Sequence, residues 1–395
     1  MNKFLEIINL FLIFLRLGCT SFGGPIAHLS YFRDEFVERR KWLNEHAYVD
    51  LVALCQLLPG PASSQVGIAI GLARAGYFGA LVAWLGFTLP SAIVLVFFAY
   101  GLSEISTAVN AGWIHGLKIV AVAVVAQAVW SMGKNLCPDR PRITFAVVAA
   151  LMTSLFPGAL GQISIIIGGG ILGWFILKRE QSFPHADFPI RIKKVTGLLI
   201  LILFFLLLFL LPVFANISQN HSIYVFEGFY RAGALVFGGG HVVLPLLQAV
   251  VVPKMVSNNL FLAGYGAAQA IPGPLFSFAA YLGAISMLPP NGISGAFICL
   301  VAVFLPSFLL IVGVLPFWEK LRRYHAMKLA MQGINAAVVG LLLAALYNPV
   351  WTNAIYNIVD SAIALGAFLL LQFWKWPSWL VVIAGAIAGQ LVTLI

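Results

Sequence analysis

Charged residues are scarce in this sequence. They make up 9% of its 395 residues, hydrophobic residues make up 61%, and the mean hydropathy is +0.99. A soluble globular domain carries about 25% charged residues, so that class is excluded. Uncharged runs such as 145–177 and 198–214 suit a bilayer, where each helix needs about 20 apolar residues. The polar–apolar alternation of a β-barrel is absent, so we predict an all-α polytopic membrane protein.

Cysteines and catalytic motifs are also few. The four cysteines are scattered without paired spacing, which indicates neither a disulfide framework nor a metal site; they are Cys19, Cys55, Cys137 and Cys299. There is no Walker glycine loop, no His-Glu-x-x-His and no nucleophile elbow. We therefore expect no ATP hydrolysis, no soluble-type enzyme activity, no cofactor and no metal. The first apolar run, after Lys3, lacks a small-residue cleavage site and is predicted to be retained.

Acidic residues are outnumbered by basic ones, 13 to 23, which gives a formal net charge of +10. Sixteen of the 23 basic residues lie in four segments: 33–41, 134–142, 178–194 and 320–328. Because cytoplasmic loops are enriched in Lys and Arg, we assign all four to the cytoplasm. The connections without Lys or Arg are predicted to lie outside; they are those around Glu104, Pro157, 216–221 and 348–353. This distribution explains the charge without a nucleic-acid partner.

Three short phrases occur twice in the same order. The first half contains Phe22-Gly23-Gly24-Pro25, Pro59-Gly60-Pro61 and Leu89-Pro90-Ser91. The second half contains Phe237-Gly238-Gly239-Gly240, Pro272-Gly273-Pro274 and Leu305-Pro306-Ser307. Offsets of 215, 213 and 217 also pair Arg16 with Arg231, Gln56 with Gln269 and Gly116 with Gly333. A duplicated hydrophobic chain with backbone breakers at matching places indicates a secondary transporter and its substrate site.

Counting apolar segments between two basic loops predicts the topology. Three segments, 47–72, 77–102 and 112–132, lie between loops assigned to the cytoplasm, which requires an even number of crossings. The first has the Pro-Gly-Pro phrase at its centre, and prolines remove amide donors and clash with preceding carbonyls. We therefore predict a re-entrant hairpin there. The Phe-Gly-Gly segment is predicted to form a second hairpin, with arms at 4–20 and 25–40.

Each half is then predicted to hold two re-entrant hairpins and about four spanning helices. One extra span, 195–214, joins the halves, so the second half enters the membrane upside down as an inverted-topology repeat. The loop at 33–41 has four basic residues, whereas its counterpart around Lys254 has one. If the glycine-rich segments were ordinary spans, the halves would be parallel instead. The predicted domains are an N-terminal repeat at 1–180, a linker with its span at 181–218 and a C-terminal repeat at 219–395.

The helix breaks are the main candidate for substrate binding. Broken helices at membrane depth must be buried in protein or line a wet cavity. Glycines there let a ligand approach the main chain, and the half-helices that follow present amide donors at their positive ends. The alternative is that the glycines serve helix crossing or tight turns. Recurrence in both halves favours binding by Phe22, Gly23, Gly24, Pro25, Pro59, Gly60, Pro61, Phe237, Gly238, Gly239, Gly240, Pro272, Gly273 and Pro274.

Arg16 and Arg231 are the strongest single-residue candidates for binding substrate. Thirteen residues separate Lys3 from Arg16, which is about 20 Å of helix and too deep for easy snorkelling. An arginine near the bilayer centre costs at least about 2.5 kcal/mol and needs a partner or a polar cavity. Its guanidinium fork fits the oxygens of an oxyanion. The alternative for Arg231 is an ion pair with Glu227, four residues earlier.

Each of the other polar residues near the breaks has two interpretations. Gln56 and Gln269 precede the Pro-Gly-Pro turns by three residues and either cap freed backbone or contact substrate. Ser63, Ser64 and Ser277 follow those turns and either donate to substrate or pack between helices. Lys118 either reaches the headgroups or lines a pore.

Four titratable residues are candidates for proton coupling: His28, His241, Asp50 and Glu227. Asp360, near a helix end, is a weaker one. The alternative for the two histidines is a structural hydrogen bond, because buried polar groups are normally paired.

The doubled, ordered phrases resemble those of the chromate ion transporter family, over the whole chain apart from the linker span. The resemblance implies export of chromate from the bacterial cytoplasm across the inner membrane, driven by proton antiport, although some members are expected to carry sulfate or another anion. It implies a small oxyanion and the lipid bilayer as partners, and leaves a homodimer open. One departure is Gly240, where the first half has Pro25, which puts the two hairpins in unequal settings. A membrane-embedded enzyme or a channel is the rival class.

Overall fold

The computed structural model describes residues 3–104, 112–156, 158–177, 192–321 and 324–393. The predicted connection at Pro157, most of the loop at 178–194 and residues 322–323 of the last basic loop lie outside the described residues. Within them every regular element is a helix and no strand occurs. Six of these helices are long and apolar enough to cross a membrane: Ala62–Leu102, Gly112–Leu136, Ala159–Ile176, Lys194–Ser218, Gly292–Leu321 and Ala326–Trp351. The prediction of an all-α polytopic membrane protein is confirmed.

The described residues of the first half and the linker contain eight α-helices. In chain order they are α1 (Lys3–Thr20), α2 (Gly24–Arg33), α3 (Glu45–Leu57), α4 (Ala62–Glu104), α5 (Gly112–Leu136), α6 (Arg140–Leu155), α7 (Ala159–Ile176) and α8 (Lys194–Ser218). A π-helix, Asp34–Arg39, extends α2. Side-chain caps start some of these helices where the sequence offers them: Asn44 accepts from the amide of Ala47 at 2.8 Å.

Where the structure describes the second half, it contains nine α-helices. They are α9 (His221–Ala234), α10 (Val243–Val251), α11 (Asn258–Ala268), α12 (Phe278–Ala284), α13 (Gly292–Val314), α14 (Trp318–Leu321), α15 (His325–Ala345), α16 (Ile358–Gln372) and α17 (Ser378–Val392). Short 3-10 helices at Gly240–Val242, Leu275–Ser277 and Leu315–Phe317 and a π-helix at Leu346–Trp351 complete it. The linker helix α8 packs on α9 and α13 and exposes most of its surface.

The long helix α4 is two arms folded back on each other. Ala75 and Gly76 leave the helical conformation, and the φ of Gly76 is +65°. The arms touch through small residues, because a methyl group on Gly71 would lie 2.8 Å from the Cβ of Ala83. The second half repeats the feature, with Gly283 of α12 against Gly295 of α13. Small residues at such crossings let helix backbones approach closely.

Each half packs one of its helices against helices of the other half. Helix α5 of the first half packs against α16 and α17, and α15 of the second half packs against α6 and α7. Glycine pairs form both crossings: Gly116 meets Gly385, and Gly333 meets Gly169. The pairing of Gly116 with Gly333 in the sequence therefore marks two equivalent helix crossings. The largest buried core is therefore shared between the two halves.

Several contacts hold the ends of the predicted hairpin arms. Arg74, at the end of the first arm of α4, pairs with Glu6 at 3.2 Å and lies 4.5 Å from the centre of the Trp42 ring. Trp318, beside the last basic loop, donates its indole N–H to Asp50 at 3.0 Å. Both ends of segment 4–40 and the end of segment 47–72 thus lie near Trp42. The re-entrant hairpins and the inverted orientation stay predictions.

Candidate anion site at the helix breaks

Each Pro-Gly-Pro turn is held by the Phe-Gly-Gly break of the other half. The amide of Gly60 donates to the carbonyl of Val236 at 2.7 Å. Reciprocally, the amide of Gly273 donates to the carbonyl of Ser21 at 2.9 Å. Ser21 and Val236 are the same position in the two halves, one residue before the phenylalanine of the phrase. Two equivalent hydrogen bonds therefore join each Pro-Gly-Pro turn to the Phe-Gly-Gly break of the other half.

The two Phe-Gly-Gly breaks also meet each other. A methyl group on Gly240 would lie 3.3 Å from Cγ of Pro25, which is tighter than ordinary packing. By the offset of 215, Gly240 is the counterpart of Pro25 itself. The proline ring of one half thus fills the space that a second side chain would need. This contact gives a physical reason for the one departure between the two phrases.

Glycine is required in these breaks because the backbone is left-handed. The φ angles are +97° and +78° at Gly23 and Gly24, and +74° and +158° at Gly238 and Gly239. Among the described residues, no backbone carbonyl accepts from the amides of Gly23 and Gly24. A side chain on Gly24 would meet nothing within 4 Å. Free amides beside open space at the start of α2 are the features an anion site needs.

Buried hydroxyl and amide groups surround the breaks. Ser91 and Ser277 share a hydrogen bond of 2.6 Å across the two halves. The equivalent pair, Ser64 and Ser307, is also buried, but within the described part of the chain neither hydroxyl finds a partner. The side-chain oxygen of Asn335 is likewise buried, unpaired and aimed at Gly238. Such orphaned groups are uncommon in proteins and offer hydrogen bonds to a ligand.

Arg16 lies in an ion cluster centred on Glu35. The Glu35 carboxylate, with a side chain 5% exposed, pairs with Arg16 at 2.5 Å, Arg40 at 2.6 Å and Arg39 at 3.3 Å. Burial alone raises the pKa of Glu35, but the hydrogen bond from Arg40 and the arginine charges outweigh it, so the pKa lies below its ordinary value. Glu35 is 19 residues from Arg16 in the chain, so spacing within one helical turn gave no sign of this pair.

Arg231 has the partner considered for it from the sequence. The Arg231 guanidinium lies 2.7 Å from the Glu227 carboxylate, and the Arg231 side chain is 22% exposed. The ion pair is therefore present, and it leaves open whether Arg231 also contacts substrate. Arg231 borders a small cavity whose lining includes Gln162 and Val250.

Both halves of the chain match the same protein family. The model of the family described as Chromate transporter matches residues 8–174 and again residues 223–390. The chain belongs to the chromate transporter family.

Three relatives align over nearly the whole length. An uncharacterised transporter of Methanocaldococcus jannaschii is 27% identical, with 98% of this chain and 94% of the relative covered. A chromate transport protein of Pseudomonas aeruginosa is 26% identical over 97% and 92% of the two chains. Another, of Cupriavidus metallidurans, is 26% identical over 96% and 92%. No solved structure matches at a significant level.

The proton-coupling candidates in this member of the chromate transporter family are hydrogen-bonded. His28 is buried, lies 3.4 Å from the hydroxyl of Ser63 and touches the ring of Phe87 edge-on. His241 shares a hydrogen bond of 2.7 Å with Tyr265. These contacts fit the structural interpretation, and a role in proton transfer stays a prediction. Among the described residues no cluster of His, Cys, Asp or Glu could hold a metal.

The glutamine that caps the first break is one that sequence reasoning missed. Gln65 donates its side-chain amide to the carbonyl of Pro59 at 2.6 Å. Gln56 is exposed, and the side-chain amide nitrogen of Gln269 is buried without a partner in the described structure. The available signal was the position of Gln65 in the first turn of α4, where a long amide can fold back over the break.

A second polar cluster lies away from the breaks, between α5 and α16. His115 pairs with the buried carboxylate of Asp360 at 2.9 Å and stacks on Tyr356. Lys118, 5% exposed, donates to the amide oxygen of Asn259 at 3.1 Å. Lys118 is therefore buried and held by another residue of the protein. Sequence reasoning missed His115 because its partner is 245 residues away.

Proposed function

We propose that this protein is a secondary active transporter that exports chromate from the cytoplasm by alternating access coupled to proton antiport. The observation that carries the proposal is the meeting of the four helix breaks between the halves. Secondary transporters hold small charged substrates at broken helices where two repeats meet. Two relatives aligned over nearly their whole length are named chromate transport proteins, which supports the choice of anion.

The chemistry at the breaks suits a small dianion. Free amides at the start of a helix attract negative charge, and a guanidinium donates to two oxygens at once. A tetrahedral oxyanion offers acceptors on every side. The proposed binding residues are Arg16, Phe22, Gly23, Gly24, Pro25, Gln56, Pro59, Gly60, Pro61, Ser63, Arg231, Phe237, Gly238, Gly239, Gly240, Gln269, Pro272, Gly273, Pro274 and Ser277.

Rocking of one half against the other would expose this site alternately to the two sides. The proposal keeps two inverted repeats, at 1–180 and 219–395, each with two re-entrant hairpins, joined by the linker at 181–218. The reciprocal hydrogen bonds of Gly60 and Gly273 support a two-fold relation between the repeats. The gathering of the hairpin ends near Trp42 supports the re-entrant arms. The membrane is proposed to be the bacterial cytoplasmic membrane.

Proton coupling is assigned to titratable groups at the hairpins. His28 beside the first Pro-Gly-Pro turn and His241 beside Gly240 lie nearest the breaks, and Asp50 and Glu227 lie on adjoining helices. Histidine changes charge near neutral pH, so it suits a proton antiporter.

Uptake by inverted membrane vesicles tests the proposal. Energised vesicles that contain the protein are expected to accumulate chromate, and Arg16→Ala and Arg231→Ala are each expected to lower uptake at least tenfold, because each removes a charged donor that is worth about 1.5–3 kcal/mol. Arg140→Ala, an exposed basic-loop variant, is the matched control and should transport normally. Normal uptake by both site variants would remove these arginines from the proposal.

Sulfate is the second candidate substrate, because it shares the charge and the tetrahedral shape of chromate. Excess sulfate in the same assay should compete only if it enters the same site. Preferential accumulation of sulfate would identify it as the substrate. Chromate flux that is independent of the pH gradient would indicate a channel or a uniporter.

A further inference from the structure

The ion cluster around Glu35 has a net positive charge. Three guanidinium groups, of Arg16, Arg39 and Arg40, surround one carboxylate, which leaves two positive charges in excess. The carboxylate is buried, but the side chains of Arg16 and Arg39 are 48% and 62% exposed. Each guanidinium has five N–H donors, so the three groups keep donors that Glu35 does not use. The cluster is thus a preassembled and partly open set of donors.

The π-helix explains why two consecutive arginines reach the same carboxylate. In an α-helix the residues three and four positions apart share a face. Here the amide of Arg40 donates to the carbonyl of Glu35, five residues before it, at 3.0 Å. The wider turn lets Arg39 and Arg40 both reach the Glu35 side chain. Single π-helical turns are frequent at functional sites.

The second half does not repeat the cluster. At the offset of 215 that relates the halves, Glu35 corresponds to Val250. Arg231, the counterpart of Arg16, borders the same cavity as Val250 and pairs with Glu227 of its own helix. That pair is balanced in charge. The excess of two positive charges is therefore a property of the first half alone.

We propose that Arg16, Arg39 and Arg40, gathered by Glu35, form a docking site for a tetrahedral dianion, from which the anion passes to the helix breaks. A ligand of charge −2 balances the excess charge. Arg16 links the two places, because it lies on α1 five residues before Ser21, whose carbonyl holds the turn at Gly273. The inference rests on the proposed function and adds a site where the anion first binds, on the side of the basic loop 33–41.

Concentration dependence of uptake tests the docking site. In inverted vesicles, Arg39→Gln and Arg40→Gln are each expected to raise the half-saturating chromate concentration about three- to tenfold, with the maximal rate nearly unchanged. The matched control is Arg33→Gln, which makes the same charge change in the same segment. Arg33 pairs with Glu38 and Glu45 instead of Glu35, so Arg33→Gln should behave like the wild type. Equal effects in all three variants, or none in any, would overturn the proposal.

Binding of sulfate to the purified protein separates this inference from the transport proposal. Calorimetry in nanodiscs of phosphatidylcholine alone should show weaker sulfate binding for Arg39→Gln and Arg40→Gln than for Arg33→Gln and the wild type. If the wild type carries no chromate but this difference persists, the docking site stands and chromate transport fails. If binding is the same in all four proteins, the docking site fails whatever the transport result.

A phosphate headgroup has the same oxyanion chemistry and is the competing source. Phosphatidylglycerol added to the nanodiscs distinguishes the two. For a soluble dianion, sulfate binding should remain and should still depend on Arg39 and Arg40. If phosphatidylglycerol abolishes sulfate binding, and Arg39→Gln and Arg40→Gln bind less of this lipid, the cluster is a lipid site and the proposal is overturned.

Discussion

At the scale of single residues, the glycines of the breaks are fixed by both backbone angle and space. Gly60 has a φ of +119°. A methyl group there would lie 2.7 Å from both the side-chain amide nitrogen of Gln65 and the hydroxyl of Ser307. Glycine therefore meets two separate requirements at this position. The same two requirements recur at Gly273, with Ser91 in the place of Ser307.

Gly60→Ala is accordingly expected to lower stability by about 1–3 kcal/mol, through a strained backbone and displaced polar partners. The thermal midpoint of the purified protein in detergent measures this. Gly133→Ala is the matched control, because a methyl group there meets nothing within 4 Å on a helix. An equal fall in both midpoints would mean that the break does not need glycine.

Glu35 predicts a pH dependence at the same scale. Because the arginines depress its folded-state pKa below the ordinary 4.5, its contribution to stability is present above that value and is lost as pH falls through the folded-state pKa. The gap in thermal midpoint between the wild type and Glu35→Gln should therefore be full near neutral pH and should close as the pH falls below 4.5 through the depressed folded-state pKa. For Glu38→Gln, whose carboxylate is 60% exposed, the gap should be small throughout. A gap for Glu35→Gln that widens in acid would contradict this assignment.

At the scale of elements, the predicted arms are close to the observed helices. The arm predicted at 4–20 is α1, Lys3–Thr20, and the span predicted at 195–214 is α8, Lys194–Ser218. The return arm at 25–40 was predicted as one segment, whereas α2 ends at Arg33 and a π-helix continues to Arg39. Hydropathy gives a segment its length, but it does not distinguish i+4 from i+5 hydrogen bonds.

The helix crossings between the halves support a prediction at this scale. Gly116→Leu should separate α5 from α17, since even a methyl group on Gly116 would lie 2.9 Å from the Cα of Ala386. Overpacking of this kind costs about 1–3 kcal/mol or more, so we expect a lower yield of monodisperse protein and a lower midpoint. Gly366→Leu, on an open face of α16, is the control and should behave like the wild type.

At the scale of the whole molecule, the halves are interlocked through α5 and α15, and the four breaks meet where they touch. The proposed alternating access would require some of these contacts to separate. The contact of Pro25 with Gly240 lies between the two Phe-Gly-Gly breaks and is a direct test of that motion.

The double variant Pro25→Cys with Gly240→Cys, in a Cys19→Ser background, is expected to form a disulfide on oxidation. If the halves rock at this contact, oxidised protein in vesicles should stop carrying chromate and reduction should restore it. Should the reduced variant be inactive, the pair Ser91→Cys with Ser277→Cys, whose hydroxyls now lie 2.6 Å apart, gives the same test. Undiminished transport by the cross-linked protein would argue against rocking here.

The amino-acid sequence was enough to predict the class of protein, the duplication, the positions of the four breaks and the family. These depend on composition, on glycine and proline, and on repeated phrases, which act locally and are visible without partners. It also placed Glu227 beside Arg231, because four residues along a helix bring two side chains together.

The tertiary structure was needed to establish which break meets which, and which charges distant in the sequence are paired. Gly60 and Val236 are far apart in the chain, as are His115 and Asp360, and Glu35 reaches Arg16 only because the return arm folds back along α1. The physical reason is that these contacts are made between elements, whose packing depends on the shape of both partners at once. No spacing rule within a single helix contains that information.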